Sequence, residues 1–288
     1  MSSAVNEGSA GVPSMELLYK DRTEKLIQGF FVVQNEVGLG RDEEAYHQAF
    51  KLWLASEELP VASKPPVPML LAGREAHVLF PDFVAWNEII IEIKSLPRKL
   101  GVVEELQLFD YLRASKHRLG ILVNMGLDRV HFERRIYDPP ATTCTEDWDA
   151  WTNHIADRDR EIGMAVRAAL HLVYQTDHTG YGSEVIEKLL LCALRWQGLP
   201  VIARPSAKAV FRGTVVHESP LDCFVIGSRV MLALTSLFDD DSFAKSLGLS
   251  CMRTLDLPWG VAVNFGRTDL QITALSHSAM ISTLSPSP

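Results

Sequence analysis

The sequence predicts an α/β fold, a mixed sheet flanked by helices, duplicated in tandem. Three observations predict it. Stretches with apolar residues at helical spacing alternate with short runs rich in β-branched residues. A crossover helix between strands implies at least one parallel pair. A set of landmarks then recurs, in order, at an offset of 140 residues.

Leu17 to Val37 carries Leu26, Ile27, Phe30, Phe31 and Val33 at helical spacing and stops at Gly38 and Gly40. A second helix is predicted over Arg41–Glu58, with Ala45, Phe50, Trp53 and Leu54 inward. Pro65, Pro66 and Pro68 mark a loop or sheet edge. Met69–Leu71 and Ala76–Val84 flank a turn at Ala72-Gly73-Arg74. Ile89–Ile93 reads as a buried strand. Val102–Ala114 is the crossover helix, and Leu119–Asn124 and Val130–Ile136 are the closing strands. Pro139–Asp159 breaks the pattern and reads as a partly helical linker. The order then returns. Gly180-Tyr181-Gly182 echoes Gly38-Leu39-Gly40, Pro200 echoes Pro60, Asp222 echoes Asp82, and Asn264 echoes Asn124. The expected organisation is a disordered tail over 1–15, a first domain over 16–138, a linker over 139–159, a second domain over 160–278 and a tail over 279–288.

Apolar residues make up 47% and charged residues 22% of the 288, ordinary for a soluble globular protein. No run approaches the ~20 apolar residues needed to span a bilayer, so no membrane partner is expected. The polar N-terminus does not read as a secretory signal. Cys144, Cys192, Cys223 and Cys251 are widely spaced, which fits buried thiols in a reducing cytoplasm rather than disulfides or a zinc site. The net charge of −8 counts mildly against a high-affinity DNA protein but does not exclude a nuclease, since active-site carboxylates add negative charge. Arg113–Arg118 and Arg129–Arg135 are local basic segments that suit either phosphate contact or a solvated helix end and strand.

The chemistry concentrates in Pro81-Asp82, nine residues, then Glu92-Ile93-Lys94. A pattern of this kind arises about once by chance in a chain of this length when the gap is free. Its setting is what carries weight. Glu92 and Lys94 lie in an otherwise apolar strand, and alternation puts both on one face, opposite Ile91 and Ile93. Opposite charges on a buried strand are costly unless paired or bound to a metal. An exposed edge strand with a solvent-facing Glu–Lys pair would give the same sequence. Asp82, Glu92 and the Ile93 carbonyl are hard oxygen ligands suited to Mg²⁺. Lys94 suits a developing negative charge or an attacking water.

Further motifs join this set. Gly40-Arg-Asp-Glu43-Glu-Ala-Tyr46 reads GxxExxY. Phe80-Pro-Asp-Phe-Val84 and Ile91-Glu-Ile-Lys-Ser95 are core strands. Gln107 and Tyr111 lie one helical turn apart, within a QxxxYL motif. Gly120–Gly126 reads as a GLLxNFG-like strand, with Met125 in place of Phe, and Arg134-Arg135-Ile136 closes the run. Residues 17–137 thus resemble the family named for its GxxExxY motif, within the PD-(D/E)XK nuclease superfamily. The resemblance implies a restriction-endonuclease-like fold and Mg²⁺- or Mn²⁺-dependent hydrolysis of phosphodiester bonds in nucleic acid, DNA before RNA. It implies Glu43 as a helix carboxylate joining the metal site, and Gln107 and Tyr111 on the helix beside it. The family's usual histidine before the Gly-rich turn is absent; Gln34-Asn35 stands there.

The second half keeps Asp222, but Ala233 and Thr235 fall where Glu92 and Lys94 would stand, in an uncharged strand. No QxxxY follows. One carboxylate does not make a catalytic metal site. The second half is therefore expected to be a non-catalytic copy docked as an intramolecular pseudo-dimer partner. Two other readings remain open: a nucleic-acid-binding or regulatory protein that keeps the fold without catalysis, and a metal-dependent hydrolase of another phosphate ester.

Overall fold

The computed structural model describes residues 18–151, 155–177 and 179–276. The tails expected at 1–15 and 279–288 lie outside the described residues. The first half runs α1 (Lys20–Val37), α2 (Glu43–Ser56), β1 (Val61–Ser63), β2 (Val67–Leu71), β3 (Arg74–Leu79), β4 (Phe83–Ala85), β5 (Ile89–Lys94), α3 (Val102–Ser115), β6 (Leu119–Asn124) and β7 (His131–Ile136). After β8 (Thr143–Asp147) and a 3₁₀ turn at Asp149–Trp151, the same order repeats: α4 (Asp157–Asp177), α5 (Ser183–Trp196), β9 (Val201–Ala203), β10 (Ser206–Phe211), β11 (Thr214–Pro220), β12 (Phe224–Ile226), β13 (Val230–Ser236), α6 (Ser242–Leu255), β14 (Trp259–Phe265) and β15 (Asp269–Ser276). Two sheet-containing halves with one element order fit a tandem duplication. The strand orders are β1-β4-β5-β6-β7 and β8-β15-β14-β13-β12-β9, with β2-β3 and β10-β11 as separate hairpins. The second sheet is mixed: β13 and β14 run parallel, β12 runs antiparallel to β13 and β9, and β15 runs antiparallel to β14.

The chain forms two compact units that do not follow the two halves. One comprises the chain up to Pro60 with Ile93–Lys99 and Val123–Phe132. Here α2 starts on Asp42, whose side chain accepts from the Ala45 N–H. Gly29 lets α1 and α2 close: a Cβ there would meet the Trp53 ring at 2.3 Å. Phe30 and Phe50 pack ring to ring beneath it, 4.8 Å apart. The segment after β5 is held by Asn124. Its Oδ1 accepts from the N–H groups of Leu96 and Gly126, and its amide donates to the carbonyls of Leu96 and Arg98. Gly126 is required by that close approach, since a Cβ would lie 2.5 Å from the Leu96 nitrogen.

The other unit comprises Val61–Glu92, Leu100–Leu122 and the chain from Glu133 onward. Its apolar core centres on α4, α5 and one face of the second sheet, and takes in Met69 and Leu71 of the β2-β3 hairpin. That hairpin lies across α4 and α5. The Ala76 carbonyl accepts from the Cys192 thiol at 3.3 Å, and the Arg74 guanidinium stacks 4.2 Å from the Trp196 ring. The segment expected as a linker is instead built into this unit. β8 pairs in parallel with β15, and Trp151 is buried with its indole N–H donating to the Leu275 carbonyl. The sequence concealed this because β8 alternates polar residues and only its edge position makes it a strand.

Asp110 on α3 faces Gly182 ahead of α5. Its carboxylate accepts from the Gly182 N–H at 3.1 Å, with Arg113 3.9 Å away. Burial dominates over these and, with Glu184 nearby, raises its pKa to about 7. The unfolded chain would release this proton near the ordinary value. The stabilising contribution is therefore complete below that value and is lost as pH rises towards 7, by at most about 1.4 kcal/mol per pH unit. Urea unfolding across pH 4–8 should show this decline, and Asp110→Asn should flatten it.

Candidate metal centre

β5 sits between β4 and β6 in its sheet, so it is an interior strand and not an exposed edge. Ile91 and Ile93 are fully buried on one face. On the other face Glu92 is 2% exposed, at the depth of a core residue. Asp82 precedes β4, which pairs antiparallel with β5 and places Phe83 opposite Ile91. Its carbonyl accepts from the Lys64 N–H at the end of β1, and its side chain is likewise buried, at 8% exposure. The Asp82 N–H points to the Glu92 Oε2 at 3.4 Å. Two carboxylates are thus drawn together in a place where uncompensated negative charge is expensive.

Two residues further along β5, the Lys94 ammonium pairs with the Glu43 carboxylate of α2 at 3.7 Å. The Lys94 carbonyl accepts from the Met125 N–H at 2.7 Å, and the Ser95 hydroxyl donates to the Arg41 carbonyl at 2.6 Å. These bonds fix the end of β5. Asp82 and Glu92 have carboxylate oxygens within 4.8 Å of one another, a spacing that suits one cation. Ile93 lies between Glu92 and Lys94 on the same strand.

On α3, the Gln107 amide donates to the Tyr111 hydroxyl at 2.8 Å. Burial, then the Glu92 charge, pushes the Tyr111 phenol up, and Asp82 adds to it. Tyr111 therefore lies within electrostatic reach of both carboxylates as a neutral hydroxyl. Tyr46, by contrast, is fully buried, and its hydroxyl donates to the Gly38 carbonyl; it closes the turn between α1 and α2.

Two positions were not singled out as functional in the sequence. Asn124 was only a landmark of the repeat. Gln34, where the resembled family has histidine nearby, is buried and donates to the carbonyls of Met125 and Leu127, both at 2.9 Å. The recurrence of Asn124 as Asn264 was the one available signal. The basic segments are engaged internally. Arg118 pairs with Asp138, Arg135 with Glu105 and Glu133, and Arg113 lies over Tyr137 and near Tyr181.

The second half corrects one assignment. Phe83 faces Ile91 in the first half, and Phe224 faces Leu232 in the second. The counterpart of Asp82 is therefore Cys223, not Asp222. Cys223 is buried against the Cys251 thiol. Asp222 is pushed outward by one extra residue before β12, with its side chain 80% exposed. Thr235, at the Lys94 position, is tied instead to Asn264 and the Val263 carbonyl. None of the three positions keeps its charge. All four cysteines are free thiols, two buried and two half-buried.

Another cluster, Cys144, Glu146 and His171, also has ligand-like spacing. Burial opposes ionisation of Glu146, but hydrogen bonds from Arg167, Trp148 and His171 outweigh it and hold the carboxyl at about 2. Its charge is already satisfied by the Arg167 fork.

Acidic residues and a lysine thus gather at β4 and β5 of the first sheet. Residues 20–136, from α1 to β7, match the family model of the PD-(D/E)XK nuclease superfamily. No curated protein and no solved structure matches the chain. No helix among the described residues is long and apolar enough to cross a membrane.

Proposed function

We propose that the first half is a Mg²⁺- or Mn²⁺-dependent nuclease of the GxxExxY type, acting on nucleic acid and on DNA by preference. The observation that carries this reading is the burial of Asp82 and Glu92 side by side, an all-oxygen set. Such a set fits a hard divalent cation and would be costly without one. Asp82, Glu92, Glu43 and the Ile93 carbonyl would hold the ion. When bound, it lowers the pKa of a water and offsets phosphate charge. Lys94, steadied by Glu43, orients that water or meets the charge that develops as a P–O bond breaks. Gln107 and Tyr111 are the positioning pair on α3; a neutral Tyr111 hydroxyl donates without adding charge.

In this reading 16–138 is the catalytic domain and 160–278 a degenerate copy that docks on it as a pseudo-dimer partner. The contacts of the β2-β3 hairpin with α4 and α5 support that docking. Free thiols are in keeping with a reducing, cytoplasmic setting. The test is cleavage of single- and double-stranded DNA and RNA by the full chain. Cleavage is expected with Mg²⁺ or Mn²⁺ and is expected to disappear with a chelator and return on metal readdition. Failure on every substrate would overturn the reading.

A second reading has its own support. The net charge is −8, and Arg113, Arg118 and Arg135 are internally engaged, which favours a non-catalytic binding or regulatory protein. Calorimetric Mn²⁺ titration separates the two. The nuclease reading expects saturable binding in the parent that weakens at least tenfold in Asp82→Asn; binding that Asp82→Asn leaves unchanged favours the second.

A further inference from the structure

The two hairpins are built alike. In β2-β3 the turn residues Ala72 and Gly73 have positive φ, and in β10-β11 so do Arg212 and Gly213, 140 residues later. Both hairpins carry a register shift at the same place, Met69/Leu70 and Ala209/Val210. Their surroundings differ completely. Leu71 is fully buried against the α4-α5 face, whereas its counterpart Phe211 is 63% exposed. Ala76, which meets Cys192, is matched by Val216, also exposed. Phe211 and Val216 thus leave the corresponding face of the β10-β11 hairpin as an uncovered apolar strip.

The helix face that such a hairpin would cover is equally bare in the first half. α2 and α5 are both 14 residues long, offset by 140. Leu189 and Ala193 of α5 are buried under the first hairpin; their counterparts Ala49 and Trp53 are only partly covered. Leu52, the counterpart of Cys192, is 72% exposed. Val33, Val37, Ala49, Leu52 and Trp53 line a groove of about 360 Å³ between α1 and α2. An apolar strip and an apolar groove, both left open, mark interaction surfaces.

We infer that the β10-β11 hairpin docks in the α1-α2 groove of a second copy of this chain, in the way the β2-β3 hairpin covers α4 and α5. The occupant is argued from the chain itself, which already contains one example of this hairpin seated on this helix pair. Each copy carries one free hairpin and one free groove. A reciprocal exchange between two copies buries both strips and leaves no open end. The interface gains two identical contacts, as a two-fold dimer requires.

The full-length chain should sediment at twice the chain mass at micromolar concentration. Phe211→Asp and Leu52→Asp should each return it to the monomer mass with an unchanged circular dichroism spectrum, because both residues are exposed. Cys192 meets Ala76, so Leu52 and Val216 should meet across copies. Mixing singly substituted Leu52→Cys and Val216→Cys proteins under oxidising conditions should give a disulfide-linked heterodimer, which tests the contact even if an Asp variant misfolds. A monomeric parent overturns the inference, as does a dimer untouched by Phe211→Asp. A Leu52→Cys/Val216→Cys double variant that cross-links within one chain also overturns it, since the hairpin would then occupy its own groove.

Discussion

Lys94→Ala is expected to lower the rate of metal-dependent cleavage by about 10²–10³-fold, the usual cost of removing one preorganised charge-stabilising donor. Mn²⁺ affinity should stay within a few-fold of the parent. The reason is the division of labour along β5. On the proposed reading Glu92, buried beside Asp82, supplies ligand oxygens, while Lys94 projects from the same strand face and pairs with Glu43. Removing the ammonium takes a positive charge from beside the Glu43 carboxylate and, if anything, makes the oxygen set more negative. Single-turnover rates at saturating Mn²⁺ separate this from a binding defect. A Lys94→Ala protein as active as the parent would remove Lys94 from the chemistry. Thr235→Ala, at the matching position of the second half, should leave cleavage unaltered.

Asn124→Leu is expected to cost about 3 kcal/mol or more of unfolding free energy. Asn124 is fully buried and serves four backbone groups, and each such group left without a partner costs about 1–3 kcal/mol. Leucine keeps the volume, so the loss reports the hydrogen bonds and not a cavity. Chemical denaturation measures it, and a change below about 1 kcal/mol would show that the 96–98 segment finds other partners. The same substitution should depress cleavage, because this segment continues directly from Lys94 and the Met125 N–H holds the Lys94 carbonyl.

Much of the first half was legible in the residues. Periodicity located α1, α2, α3, β5 and β6 to within a few positions, because each buries a regular stripe or run. The charged residues of Ile89–Lys94 stood out for the same reason: an apolar strand makes a buried Glu conspicuous. Short elements were not legible. β1 and β4 are three residues each, and the expected run Ala76–Val84 divides into β3 and β4 where Asp82 must turn inward. β8 has the sequence character of a linker because its pairing partner, β15, lies more than a hundred residues away.

The sequence by itself determined the duplicated α/β order and the residue types that can hold a divalent cation, since both follow from local pattern and side-chain chemistry. Only the tertiary structure decided which residues meet. It made β5 an interior strand, buried Asp82 beside Glu92 and joined Lys94 to Glu43. It also placed Cys223 where the repeat pointed to Asp222, because register in a sheet is set by pairing across strands, and a single extra residue turns a side chain from the core face to solvent.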